Sequence, residues 1–168
     1  MKIKRWFGNY IVEIGDFLTP TRCDALIAHA EAIGFEEATV HTGAGHVLDK
    51  QTRNNDRVTS DDTALAAELW ELAREHLPAR FKGRDAVGLN ERLRYYRYDP
   101  GQKFDWHQDG YYERENGERS QYTFMVYLND GFEGGGTSFA DDYGRLLPAP
   151  FTVVPQKGTV LLLSLIHI

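Results

Sequence analysis

The feature that most constrains the fold is a change in the spacing of apolar residues about halfway along the chain. Before this change, residues 19–34 and 60–78 repeat apolar residues with helical spacing, and residues 9–18 alternate as a strand does. After it, three segments alternate and are separated by turn sequences rich in Asp, Asn, Pro and Gly. These segments are residues 88–101, 121–130 and 151–163. Two helices followed by consecutive strands predict an α+β fold, a sheet sandwich or jelly roll with both helices packed on one outer face.

The ends of the two helices carry their own signals. Thr19 is suited to cap the first helix, Pro20 to occupy its first position and Gly34 to end it. The second helix is expected to carry acidic residues in its first turn, and Pro78 is expected to close it.

Length and charge limit the kinds of partner that we expect. The 168 residues are enough for one domain, residues 1–168, with a core of its own. The formal charge of −6 at pH 7 argues against non-specific binding to nucleic acid or to an anionic membrane. The sequence shows neither a signal peptide nor an apolar run of membrane-spanning length, so we expect a cytoplasmic protein. The sequence leaves the oligomeric state open.

A histidine and an aspartate two residues apart form the strongest candidate for a metal site. His107 and Asp109 follow the turn at residues 99–101, and in a strand both side chains would project from one face. Trp106 would then point to the opposite face and pack in the core. An imidazole and a carboxylate together suit iron(II), among other divalent metals. The alternative is a surface strand whose histidine and aspartate face water.

Around this pair the chain resembles the 2-oxoglutarate- and iron(II)-dependent dioxygenases, in particular their prolyl 4-hydroxylase-like branch. The matching segments are "GLNERLRYYRYDPGQKFDWHQDG", "ERSQYTFMVYLND", "FEGGGTSF", "VVPQKGTVLL" and, upstream, "DKQTRNNDR". The resemblance implies a double-stranded β-helix, a form of jelly roll. It also implies that His107 and Asp109 bind iron.

The resemblance assigns expectations to further residues. Tyr98 matches a position whose hydroxyl helps to hold 2-oxoglutarate, although a core aromatic of a strand is an equal alternative. A polar loop is expected to lie over the mouth of the site and to contact substrate, the alternative being a solvated surface loop. The loop residues concerned are Arg53, Asn54, Asn55 and Arg57.

The activity that the resemblance implies is hydroxylation of a prolyl or similar side chain in a peptide, a protein or a free amino acid. The reaction would use iron(II), O2 and 2-oxoglutarate, which is decarboxylated to succinate, and ascorbate would support it. One alternative is a catalytically inactive fragment or a jelly-roll module that binds a ligand without oxidising it. Another alternative is a cupin-like zinc enzyme, which explains His107 and Asp109 but not the motifs around them.

The last six residues, "LSLIHI" at 163–168, depart from the family pattern. The family places its third iron-binding histidine, and then a basic residue for 2-oxoglutarate, beyond the position of His167. The six residues are also the translation of CTGTCTCTTATACACATC, the end of a transposase sequencing adapter. We therefore expect a domain truncated at its C-terminus with a non-native tail at 163–168, and we expect His167 not to be the third ligand.

Overall fold

The computed structural model describes residues 1–42, 45–81, 83–140, 147 and 149–165. These residues form two helices and thirteen strands. The chain divides into two compact units: the first comprises Met1–His29 and His107–Ile168, and the second comprises Ala30–Trp106. The helices are α1 (Pro20–Ile33) and α2 (Thr63–Ala73). The strands are β1 (Lys2–Phe7), β2 (Ile11–Gly15), β3 (Glu36–Glu37), β4 (Val40–Thr42), β5 (Gly45–Val47), β6 (Asp56–Asp61), β7 (Arg80–Phe81), β8 (Arg84–Asp85), β9 (Arg92–Arg97), β10 (Tyr122–Tyr127), β11 (Thr137–Phe139), β12 (Phe151–Val153) and β13 (Thr159–Ser164). None of the helices in these ranges is long and apolar enough to cross a membrane.

Helix α1 has the boundaries that the sequence predicts. It begins at Pro20, and the Thr19 hydroxyl accepts a hydrogen bond of 3.2 Å from the backbone N–H of Arg22. Gly34, with a φ of 95°, ends it by entering the left-handed region that glycine adopts at low cost.

Helix α2 is shorter than the sequence predicts. Its first turn carries no acidic residue, contrary to the prediction, because the helix begins at Thr63. The carboxylate of Asp62 instead caps it by accepting a hydrogen bond of 2.8 Å from the backbone N–H of Leu65. The helix ends at Ala73, five residues before Pro78, where the burial of its apolar face also ends. A helix beyond that point would gain no packing to offset its conformational entropy.

The first unit contains a four-stranded antiparallel sheet in the order β1-β2-β13-β10. The central strand β13 has neighbours on both sides, and its residues Val160, Leu161 and Leu162 are at most 2% exposed. Burial on both faces explains why this strand is a continuous apolar run instead of an alternating one. Leu161 joins Ile11, Phe139, Leu147 and Val153 in the core of this unit.

The predicted strand at 151–163 is two strands. A turn at Gly158, with a φ of 79°, separates β12 from β13. The backbone N–H groups of Phe17 and Leu18 both donate to the Gly158 carbonyl, at 2.9 and 3.0 Å. The turn is thus attached to the chain segment that leads into α1.

The second unit contains a three-stranded antiparallel sheet in the order β3-β6-β9, together with the hairpins β4-β5 and β7-β8. The strands and two helices of the described residues are those of an α+β protein. The jelly-roll closure and the packing of both helices on one sheet stay predictions.

Candidate functional site

His107 and Asp109 lie in the first unit on backbone that belongs to no strand. The prediction of a strand at this position is therefore wrong, and so is the expected core position of Trp106, which is 65% exposed. A ladder needs a hydrogen-bonded neighbour along the whole segment. The backbone bridges nearest in sequence are at Phe104 and at Glu113, one on each side of the pair.

The two side chains nevertheless converge. The distance from His107 Nε2 to Asp109 Oδ1 is 3.3 Å, and about a third of each side chain is exposed. A nitrogen and an oxygen at this separation can contact one ion, and their partial exposure leaves that ion open to further ligands.

Thr123 fixes the orientation of the carboxylate. Its hydroxyl, on β10, donates a hydrogen bond of 2.7 Å to Asp109 Oδ2, while Oδ1 faces His107. Hydrogen bonds of this kind to metal-binding carboxylates orient them and tune the metal. From the sequence, the strand face that carries Thr123 could equally line a pocket or fill the core, because no local pattern distinguishes a threonine that contacts a ligand from one that fills a strand; the hydrogen bond to Asp109 appears only in the structure.

A hairpin between Asp109 and β10 brings Thr123 to this position. Glu113 pairs with Arg119 in an antiparallel bridge, and Arg114 Nη1 contacts Glu118 Oε2 at 2.6 Å. The backbone N–H of Ser120 donates to the Tyr112 carbonyl at 2.9 Å. The chain reverses here within a few residues, so a residue of β10 returns to Asp109.

The donor set fits two positions of an iron(II) site of the two-histidine, one-carboxylate type. Within the described ranges, no group of three or more His, Cys, Asp and Glu side chains could hold a metal ion. His167 lies outside the described residues, so the prediction that it is not the third ligand stays a prediction.

Arg53 and Asn55 lie in the second unit, and they are not part of a solvated loop. Arg53 is 5% exposed and Asn55 1%. Arg53 Nε donates a hydrogen bond of 2.8 Å to Asn55 Oδ1. The Arg53 guanidinium carbon lies 4.4 Å from the ring centre of Tyr96 and 4.2 Å from that of Phe104. The solvated-loop alternative is therefore wrong for these two residues.

Asn54 and Arg57 have different environments. Asn54 pairs with Lys103: its side-chain oxygen accepts a hydrogen bond of 2.7 Å from the Lys103 N–H, and its own N–H donates to the Lys103 carbonyl at 3.2 Å. Arg57 lies on β6, where its Nη2 donates to the Thr39 hydroxyl at 3.3 Å. The predicted loop residues thus divide between a loop that pairs with residues 103–105 and a strand.

Tyr98 directly follows β9 in the second unit. Its side chain is 48% exposed, so the alternative of a core aromatic is wrong. Burial of part of the side chain raises the pKa of Tyr98, and the positive charge of Arg53 opposes that rise. Its phenol is therefore a neutral hydrogen-bonding group at physiological pH, while its role in binding 2-oxoglutarate stays a prediction.

Comparisons with known proteins agree on one family. Residues 93–167, which include His107 and Asp109, match the 2OG-Fe(II) oxygenase superfamily. The chain is 27% identical over 179 aligned positions to probable prolyl 4-hydroxylase 6 of Arabidopsis thaliana, covering 90% of this chain and 57% of that one. It is 27% identical over 165 positions to probable prolyl 4-hydroxylase 8 of the same plant, with shares of 88% and 54%. The chain thus spans little more than half the length of these relatives.

A solved structure supports the same grouping at the level of fold. The viral collagen prolyl hydroxylase of Paramecium Bursaria Chlorella virus-1, in its complex with 2OG, superposes with a TM-score of 0.59. The match covers 94% of this chain and 78% of that one at 23% identity. At this identity the likeness establishes the fold.

Proposed function

We infer that this chain, a prolyl 4-hydroxylase-like member of the 2OG-Fe(II) oxygenase superfamily, hydroxylates a prolyl or similar side chain of a peptide or protein. The observation that carries the proposal is the convergence of His107 Nε2 and Asp109 Oδ1 at 3.3 Å inside the segment that matches the superfamily.

Three residues of the first unit would prepare the metal site. His107, in its neutral form, presents a nitrogen lone pair, and Asp109 presents Oδ1 as an anionic ligand. Thr123 holds the other carboxylate oxygen, so the aspartate does not have to be ordered when metal binds. The chemistry that iron(II) supplies in this superfamily is oxidative decarboxylation of 2-oxoglutarate to succinate, coupled to hydroxylation of a C–H bond.

The second unit would supply the groups that recognise organic ligands. We propose that the Tyr98 hydroxyl contributes to holding 2-oxoglutarate, and that Arg53, Asn54, Asn55 and Arg57 contact the substrate. The buried Nη2 of Arg53 supports this role, because a buried donor without a hydrogen-bond partner is available to a ligand group.

The test measures succinate formed by the purified domain with iron(II), O2, 2-oxoglutarate and ascorbate, with and without proline-containing peptides. Because the third ligand is expected beyond this chain, we expect succinate from the domain continued past Leu162 with its natural C-terminus, more of it with an accepted peptide, and none from His107→Ala in that same domain. His76→Gln is the matched control: this partly exposed histidine follows α2 and lies outside the proposed site. Succinate formation unchanged in His107→Ala would contradict the proposal.

A second candidate function is a module that binds a ligand without oxidising it. The buried Arg53, whose Nη2 has no hydrogen-bond partner, favours this function because it is a binding group that needs no metal. A folded domain that carries its natural C-terminus, binds peptides and still forms no succinate at saturating iron(II) and 2-oxoglutarate would establish the module and exclude the oxygenase.

A further inference from the structure

We infer that Arg53, Asn55, Tyr96 and Phe104 form a binding site for a carboxylate group, with Arg53 Nη2 as the donor that the ligand engages. The site lies entirely within the second unit. The inference rests on the proposed function in assigning Arg53 and Asn55 to substrate binding, but it requires no metal, so binding by the metal-free chain tests it separately from the reaction.

The first observation is an unsatisfied donor on a buried cation. Arg53 is 5% exposed, and its Nη2 is buried with no hydrogen-bond partner. Buried side-chain donors in folded proteins almost always have a partner, so an exception needs an explanation. Arg97 Nε is also unpartnered, but Arg97 donates through its other two nitrogens to Glu31 and Asp56, and 40% of its side chain is exposed. Arg53, in contrast, is buried, and its one side-chain hydrogen bond within the described residues goes to a neutral amide.

The second observation is the missing counter-ion. Among the described residues, no carboxylate forms an ion pair with Arg53, whose one side-chain hydrogen bond goes to the neutral amide of Asn55. The acidic residues near it in sequence have other partners. Asp49 accepts hydrogen bonds from Thr52, and Asp56 pairs with Arg97. A guanidinium removed from water without an anion is costly, and a bound anion removes that cost.

The surroundings of Arg53 fix the guanidinium in place. Asn55 accepts from Nε, and its own amide donates a hydrogen bond of 2.7 Å to the Asp56 carbonyl, which fixes the amide's orientation. The rings of Tyr96 and Phe104 pack against the guanidinium carbon at 4.4 and 4.2 Å. A planar carboxylate that approaches in the guanidinium plane would find Nη2 already oriented.

One of the two rings that pack against the Arg53 guanidinium belongs to a surface side chain. Tyr96, on β9, is 41% exposed although its ring packs against Arg53. Exposed aromatic side chains change rotamer on the nanosecond scale, so this ring can move off the guanidinium without a rearrangement of the sheet.

The shared chemistry is a carboxylate, which a free amino acid, the C-terminus of a peptide or a dicarboxylic acid can supply. The experiment titrates the metal-free chain by calorimetry with L-proline, N-acetyl-L-proline, a peptide ending in proline, and glutarate. The C-terminal amides of the acetylated amino acid and of the peptide serve as matched neutral ligands. The ligand that binds most tightly identifies the source of the carboxylate.

We expect N-acetyl-L-proline and the peptide ending in proline each to bind at least about tenfold more tightly than the matched amide, the difference that a charge-assisted hydrogen bond typically makes. Arg53→Gln should remove this difference. Arg94→Gln should keep it, because Arg94 is an exposed arginine of the same strand as Tyr96. Equal binding of acid and amide by the unaltered chain would overturn the inference, as would an undiminished preference for the acid in Arg53→Gln.

A second measurement avoids the question of whether Arg53→Gln folds. In the unaltered chain labelled with 15N-arginine, the Nε–H signal assigned to Arg53 should shift on addition of the acid and stay in place on addition of the amide. An Arg53 Nε–H signal that shifts with neither the acid nor the amide at saturating concentration would overturn the inference.

Discussion

The hydrogen bond from Thr123 to Asp109 links a strand residue to the carboxylate that we expect to bind metal. The bond is 2.7 Å long and is accepted by Oδ2, so the other carboxylate oxygen, Oδ1, remains directed at His107. When a hydrogen bond to a metal-binding side chain is lost, that side chain can still bind the metal but is less well oriented, and metal affinity typically falls by 10- to 100-fold.

We therefore predict that Thr123→Val lowers the affinity for Mn(II), used as a redox-stable substitute for iron(II), by about tenfold. Calorimetric titration of the metal-free chain measures this affinity. Tyr127→Phe is the control, because it removes a hydroxyl from the same strand that bonds to Thr137 instead of Asp109. An affinity in Thr123→Val equal to that of Tyr127→Phe would show that the contact does not serve the site.

Asp49 organises the loop that leads to Arg53. The hydroxyl of Thr52, followed by the backbone N–H groups of Thr52 and Gln51, holds the pKa of Asp49 below its ordinary value. A carboxyl group with a lowered folded-state pKa stabilises the fold above its unfolded pKa. That contribution is lost as the pH falls through the folded-state pKa.

We predict that Thr52→Val moves the pKa of Asp49 upward, toward the ordinary value, because the largest cause of its depression is removed. Carbon-detected NMR titration of the Asp49 carboxyl follows this change. The destabilisation by Thr52→Val relative to the unaltered chain should be present at neutral pH and diminish as the pH falls through the folded-state pKa of Asp49. Thr59→Val, an exposed change on β6, should leave the pKa of Asp49 where it is.

At the scale of elements, the turn between β12 and β13 depends on the absence of a side chain at Gly158. A Cβ atom there would lie 2.2 Å from the Leu18 carbonyl oxygen, and the φ of 79° is unfavourable for any residue with a side chain. The turn and the start of α1 therefore approach each other more closely than alanine permits.

We predict that Gly158→Ala destabilises the chain by about 2–4 kcal/mol, the sum of left-handed backbone strain and overpacking. Gly117→Ala is the matched control, since Gly117 has a φ of 83° but no atom within 4 Å of the added Cβ. It should cost about 1–2 kcal/mol from backbone strain alone. Urea unfolding measures both values, and equal losses in the two variants would show that the close approach is unimportant.

At the scale of the whole molecule, metal binding should appear as stability of the fold. A ligand that binds only the folded chain stabilises it by about 2.7 kcal/mol at a concentration of 100 times its Kd. We predict that Mn(II) raises the melting temperature of the unaltered chain and of His76→Gln, and leaves that of His107→Ala and Asp109→Ala unchanged. Differential scanning fluorimetry provides the measurement. An equal rise in all four proteins would place the metal elsewhere.

The sequence alone determined features that depend on local chemistry. The boundaries of α1 follow from Thr19, Pro20 and Gly34, because caps and breakers act on the backbone next to them. The candidacy of His107 and Asp109 follows from residue type and spacing, and their convergence at 3.3 Å agrees with it even though the strand predicted around them is absent.

The tertiary structure alone decided features that depend on residues distant in sequence. Whether Arg53 is solvated or buried depends on Tyr96 and Phe104, more than forty positions away. Whether Asp109 has a partner depends on a hairpin that returns Thr123 to it. Burial and long-range hydrogen bonds are properties of the assembled chain, because water is excluded and donors are brought to acceptors only when separate elements pack together.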